Sequence, residues 1–150
     1  GGTDVFNAGA GDDTIIINDD NLAKLYSNTL ASHLLARVDG GGNTDTLKLA
    51  GSDLNLDLTQ IDNGRIQDIE IIDLTGSGDN TLKLNLNDLL DISSETNMLK
   101  VIGDSGDKVE VTGFNKLTAG SVANGVTYDV YINTSASTAQ LWVDQDLTVV

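Results

Sequence analysis

The residues in this sequence best suited to chemistry are three aspartates, Asp4, Asp13 and Asp45. Each follows small, turn-prone residues and precedes an apolar residue two places on, Phe6, Ile15 or Leu47. Gly2, Asp4 and Phe6 recur nine residues later as Gly11, Asp13 and Ile15. Residues 8–16, AGAGDDTII, set Gly9 and Gly11 ahead of Asp12 and Asp13, and residues 40–48, GGGNTDTLK, set Gly41 and Asn43 ahead of Asp45. Residues 75–83, TGSGDNTLK, repeat the order with Gly76, Gly78 and Asn80, and residues 102–110, IGDSGDKVE, are a weaker echo carrying Asp104 and Asp107. Glycine tolerates positive φ, so the carbonyls of a tight bend can turn inward while the aspartate adds a carboxylate. Such a set of hard oxygens suits a calcium ion. Calcium takes six to eight ligands at roughly 2.3–2.6 Å, more than one bend can give, so bends on stacked coils must share it. The competing reading is a solvated turn ahead of a strand. In-phase repetition favours the ion for Asp4, Asp13 and Asp45, and both readings stay open for Asn80 and Asp107.

The elements that would position these bends are short strands. After Gly40 the text alternates apolar and polar residues in brief runs, TLKLA, LNLDL, IEIIDL, TLKLNL and KVEV, each bounded by Gly, Asn, Asp or Ser. TYDVYI and AQLWVDQDLTVV follow, and a covering sheet or hairpin is expected there. Asp19 or Asp20 can cap a helix over about 21–38, with Leu22, Leu25, Tyr26, Leu30, Leu34 and Val38 on one face. The segment NDLLDIS can add a helical turn. His33 is the sole histidine and there is no cysteine, so a zinc site or a histidine-dependent triad has no usable parts.

Composition points the same way. Of 23 acidic residues 20 are Asp, against 8 basic residues, for a net charge of −15. Asp favours turns over helix faces and is a short oxygen ligand, whereas this charge argues against nucleic acid or anionic membrane as partners. No apolar run approaches the length of a membrane span and no cleavable signal peptide is visible at the start. Beginning in mid-pattern at Gly1, the sequence reads as a piece of something longer. Without calcium, fifteen uncompensated charges and glycine-rich loops oppose compaction, and with it both penalties are offset, so folding and binding are expected to be coupled.

Residues 8–16 fit the nonapeptide G-G-x-G-x-D-x-U-x with Ala8 in place of the first glycine, and so resemble the RTX repeats. The whole chain resembles the C-terminal part of a large RTX adhesin: GGTDVFNAGAGDDTIII is similar to its last repeats, residues 69–111 to the β segment after them, and residues 128–150 to its terminal secretion-target segment. The resemblance implies a mainly β fold, a parallel β-roll or β-solenoid with calcium-binding loops, one inserted helix and a C-terminal β cap. It implies one domain, with repeats at 1–17, a helical insertion at 18–39, a solenoid-like segment at 40–113 and a cap with export signal at 114–150. It further implies a secreted or bacterial cell-surface location, calcium as the bound ion, recognition by type I secretion machinery through the C-terminal segment, and stacking on preceding repeats of the same chain. The expected state is a monomer that neither enters a membrane nor catalyses a reaction and serves cell adhesion, as in a biofilm. The alternative is a module in which calcium also holds a sugar or peptide, with Trp142 and the three tyrosines as stacking platforms. An enzyme using paired carboxylates lacks a recognisable set of nucleophile, base and orienting group.

Overall fold

The structure is a computed structural model that describes residues 4–28 and 35–150. It is mainly β. Strands β1 (Val5–Ala10) and β2 (Thr14–Ile17) precede helix α1 (Asp19–Leu25), and β3 (Arg37–Gly42), β4 (Thr46–Leu49) and β5 (Asn55–Asp57) follow. Next come β6 (Ile66–Gln67), β7 (Ile71–Asp73), β8 (Thr81–Leu84), helix α2 (Leu86–Ile92), β9 (Met98–Ile102) and β10 (Lys108–Val111). The chain ends with β11 (Phe114–Ala123), β12 (Val126–Asn133), β13 (Gln140–Asp144) and β14 (Thr148–Val149).

Successive strands visit three sheets in turn. One sheet runs β1-β3-β6, a second β14-β10-β8-β5, and the largest β11-β12-β13-β9-β7-β4-β2. Apart from the two ladders made by β12, every strand pair among the described residues is parallel. Each pass therefore lays its strands beside those of the pass before. The period-two alternation sends one side of every strand inward. Ile15, Leu47 and Ile72 stack in register in the largest sheet, and Leu56, Leu82 and Val109 do so in the second. All of these residues are buried in one continuous core. Truncating one of them, Leu47→Ala for example, costs about 2–5 kcal/mol, because stacked neighbours on both sides cannot collapse into the space.

Among the described residues two α-helices stand where a strand is missing from a pass. Asn18, not Asp19 or Asp20, caps α1, exchanging side-chain bonds with Asn21, and Leu22 and Leu25 are its buried face. The helix reaches its C-cap at Tyr26, far short of residue 38. Leu30, His33 and Leu34 lie outside the described residues, and Val38 sits inside β3, where its N–H donates to the Arg65 carbonyl at 2.8 Å. Strand pairing overrides the three-four spacing there. The helical turn expected over residues 87–93 is α2, which starts one residue earlier and is again capped by an Asn, Asn85, with Leu89 and Ile92 buried and the Ile69 N–H bonded to the Ile92 carbonyl.

The hairpin expected of residues 128–133 and 139–150 is present, β12 pairing antiparallel with β13 inside the largest sheet. β11 and β12 form an antiparallel hairpin whose turn, Asn124-Gly125, has positive φ at both residues. β13 then returns to pair parallel with β9, and β14 with β10. Among the described residues no helix is long and apolar enough to cross a membrane.

Candidate metal centre

The nonapeptide bends stack at two corners of the coil. The first corner joins β1 to β2, β3 to β4 and β6 to β7, and the registers Thr14↔Thr46 and Thr46↔Ile71 put Asp13, Asp45 and Glu70 at equivalent places. At the second corner, Asn55↔Thr81, Lys108↔Thr81 and Lys108↔Thr148 make Leu54, Asn80, Asp107 and Leu147 equivalent. A ladder of one kind runs through both. The Asp13 N–H donates to Asp45 Oδ1 at 2.8 Å, and the Asp45 N–H to Glu70 Oε2 at 2.9 Å. The Leu54 N–H donates to Asn80 Oδ1 at 2.8 Å, and the Asn80 N–H to Asp107 Oδ1 at 2.7 Å. A backbone donor that the bend turns inward is thus satisfied by the side chain of the next coil, as buried N–H groups require. In both ladders the place after the last oxygen-bearing residue holds a leucine, Leu99 or Leu147.

The corners differ in what is left over. At the first, Asp45 is fully buried, and Asp45 Oδ2 and Asp13 Oδ2 are buried without a hydrogen-bond partner. Burial pushes the Asp45 carboxyl above the usual carboxylate range. The Asp13 N–H opposes that shift, and the charges of Asp13, Asp12 and Asp68 reinforce it. Glu70 is raised in the same way by burial, against the Asp45 N–H and with the charge of Asp45 adding. The ion pairs found among the described residues involve Asp73, Asp57, Glu110 and Asp129, none of them in this group. Asp12 Oδ1 accepts from the Thr44 N–H at 3.0 Å, tying the same two bends together at the surface.

Two glycines of the first corner, Gly40 and Gly41, are required by close approach. Gly41 has φ +96°, and a Cβ there would overlap the Gly9 carbonyl. A Cβ on Gly40 would overlap the Asp68 carbonyl and stand 2.8 Å from Asp45 Oδ2. Gly9, Gly11 and Asn43 also take positive φ, at 105°, 120° and 89°. Oxygen atoms of backbone and carboxylate therefore crowd the bends stacked here.

At the second corner every polar atom of the ladder side chains is used. Asn80, fully buried, accepts from Leu54 and turns its amide hydrogens on the carbonyls of Leu74 at 3.0 Å and Gly51 at 3.2 Å. Both Asp107 oxygens are filled, Oδ1 by the Asn80 N–H and Oδ2 by the Asp104 N–H at 2.7 Å. Asp104 Oδ2 accepts from the Gly76 N–H at 3.1 Å. Gly78, at φ +77°, leaves no room for a Cβ against Ser52.

Of the residues singled out in the sequence, Asp13 and Asp45 are brought together, with Gly9, Gly11, Asp12, Gly41 and Asn43 around them. Asn80, Asp104, Asp107, Gly76 and Gly78 gather at the other corner. Asp4 is apart from both, accepting from Asn21 Nδ2 at 3.0 Å beside α1, and Gly2 lies outside the described residues. Glu70 is the ladder residue the sequence reading did not single out. Its signal is the order E-I-I, two places ahead of buried Ile72, as Asp45 is two places ahead of Leu47.

Among the described residues no group of three or more His, Cys, Asp or Glu side chains is gathered to hold a metal by itself. A cation at the first corner would complete its shell with backbone carbonyls, as calcium does. Asp13 and Asp45 fit that requirement: each has a buried oxygen lacking a donor, which costs about 1–3 kcal/mol per group when left so. Asn80 and Asp107 do not. No protein-family model, no curated protein and no solved structure matches the chain.

Proposed function

We propose that this chain is a non-enzymatic, calcium-dependent folding module, the C-terminal module of an RTX-type bacterial adhesin released by a type I secretion system and working outside the cell or at its surface. One observation carries the reading: Asp13 Oδ2 and Asp45 Oδ2, on adjacent coils joined through the Asp13 N–H, are buried with nothing to hold. A divalent cation supplies the missing positive charge, and the inward bends at Gly9 and Gly41 supply further oxygens. Asp45, Asp13 and the carbonyls beside them would hold calcium, whose chemistry here is charge neutralisation and not catalysis.

The coupling to export follows from energetics. In a compartment poor in calcium the like charges at this corner and the glycine entropy favour the extended chain, which a transporter can thread. Millimolar calcium outside then drives collapse. β1 and β2 are edge strands, and preceding repeats of the same chain would pair with them and add rungs beyond Asp13. The export signal is assigned to residues 128–150, which include most of β12 and the returning strands β13 and β14.

The test has two parts. Far-ultraviolet circular dichroism of the chain in excess chelator, then with calcium, should show strand content rising with the ion. A passenger fused to residues 117–150 should leave cells that hold a type I exporter. A chain equally folded in chelator, together with a passenger that stays inside, would overturn the proposal.

A further inference from the structure

The two corners carry the same ladder but solve its charge problem differently, and the difference is concentrated in Asn80. This side chain is fully buried. Its orientation is fixed by its partners, because the Leu54 N–H at 2.8 Å demands an acceptor and the carbonyls of Gly51 and Leu74 demand donors. The amide hydrogens therefore face two inward carbonyls, as the field of a cation would. The amide nitrogen sits 3.0 and 3.2 Å from its two carbonyls, ordinary hydrogen-bond distances, so both carbonyls are satisfied without a metal.

We infer that the second corner is a metal-free counterpart of the first, in which the Asn80 amide does the work of a bound cation, so the calcium response of the chain is confined to the Asp13–Asp45 corner. Two further features agree. Asp107, the next rung, spends both oxygens on backbone N–H groups of Asn80 and Asp104 and keeps none for an ion. Leu54, the preceding rung, has no oxygen to offer, whereas its counterparts at the first corner are carboxylates throughout. The inference deepens the proposed function and rests on it only for the contrast with the first corner; the account of Asn80 stands on its own geometry.

The substitution Asn80→Asp isolates the claim, because it replaces one NH2 group by oxygen and leaves size and shape alone. In the 150-residue chain a third oxygen would then face the Gly51 and Leu74 carbonyls with no hydrogen between them. In chelator N80D should melt lower than the parent by roughly 6–20 °C, as expected for a buried charge without a partner. Calcium should restore it, with one more ion bound per chain than in the parent by calorimetric titration. Should N80D fail to fold in chelator, the same titration read by circular dichroism reports the rescue. An N80D chain as stable as the parent in chelator, or one that calcium does not restore, overturns the inference. Failure of the proposed function has a different signature: the parent chain ignores calcium while N80D still responds to it.

Discussion

Replacing Asp45 by Asn should remove most of the dependence of stability on calcium. The side chain is fully buried, Oδ1 accepts the Asp13 N–H at 2.8 Å, and Oδ2 has no partner. Asn keeps the accepting oxygen and removes the charge. In chelator the variant sheds the penalty of a buried group left unsatisfied, about 1–3 kcal/mol. For a domain of this size that is a melting temperature higher by roughly 2–12 °C. Calcium then raises the parent and leaves the variant nearly unmoved, which closes or reverses the gap. An ion held at roughly 10⁻⁴–10⁻³ M, typical of extracellular sites, stabilises the parent by about 1.4–2.7 kcal/mol at about 10 mM calcium. D45N has lost the ligand and gains little. Differential scanning calorimetry of both chains, in chelator and in about 10 mM calcium, reads all four values. Equal calcium shifts for parent and variant, or a variant that melts lower than the parent in chelator, would refute the reasoning.

Three further outcomes follow from other parts of the structure. Arg65, 5% exposed, donates to the carbonyls of Lys24, Ser27 and Ala36 and to Asn28 Oδ1, so it clamps the end of α1 to the coil. Arg65→Ala should cost about 2–3 kcal/mol in urea unfolding and speed amide exchange across residues 19–28, and unchanged exchange there would contradict the clamp. Gly41→Ala should cost at least about 3 kcal/mol, since positive φ is compounded by collision with the Gly9 carbonyl, whereas Gly9→Ala, with open space around it, should cost only about 1–2 kcal/mol; similar losses would show that close approach does not matter. At Asp73 burial raises the carboxyl, but the Thr75 hydroxyl, the Lys48 ammonium and the Thr75 N–H outweigh it and hold the group below the ordinary range. A depressed folded value contributes stability above the unfolded pKa of about 3.9 and loses it as pH falls through the folded value. The advantage of the parent over Asp73→Asn in urea midpoints should thus be constant near neutrality and close below about pH 4, and a gap that ignores pH would count against it.

Much of the strand framework was legible because its signal is local. The apolar residue at the eighth place of each repeat, Ile15, Leu47, Leu82 or Val109, is buried, and every described bend of the pattern lies at a corner. What the repeats could not say is which corner each would join. The bends at 40–48 and 75–83 share one pattern, yet the first stacks on residues 9–13 and the second on residues 51–54, because a third sheet intervenes. Glu70 was hidden by its bend, which has no glycine and uses Asp68 at φ +52° in its place. The helix was overextended because Val38 fits a helical spacing that only its pairing in β3 cancels. The clamp by Arg65 joins residues up to 41 apart, beyond any local pattern. The contrast between corners was half visible, since Asn80 stands where Asp was expected, but its meaning required the two carbonyls it faces.

The most direct test of the central claim is calcium uptake by the chelator-stripped chain, followed by isothermal titration alongside the double variant Asp13→Asn, Asp45→Asn. Saturable uptake of at least one ion per chain in the range of roughly 10⁻⁴–10⁻³ M, abolished or reduced by one ion in the double variant, is the result this account predicts. No binding by the parent at about 10 mM calcium, or uptake undiminished in the double variant, would contradict it.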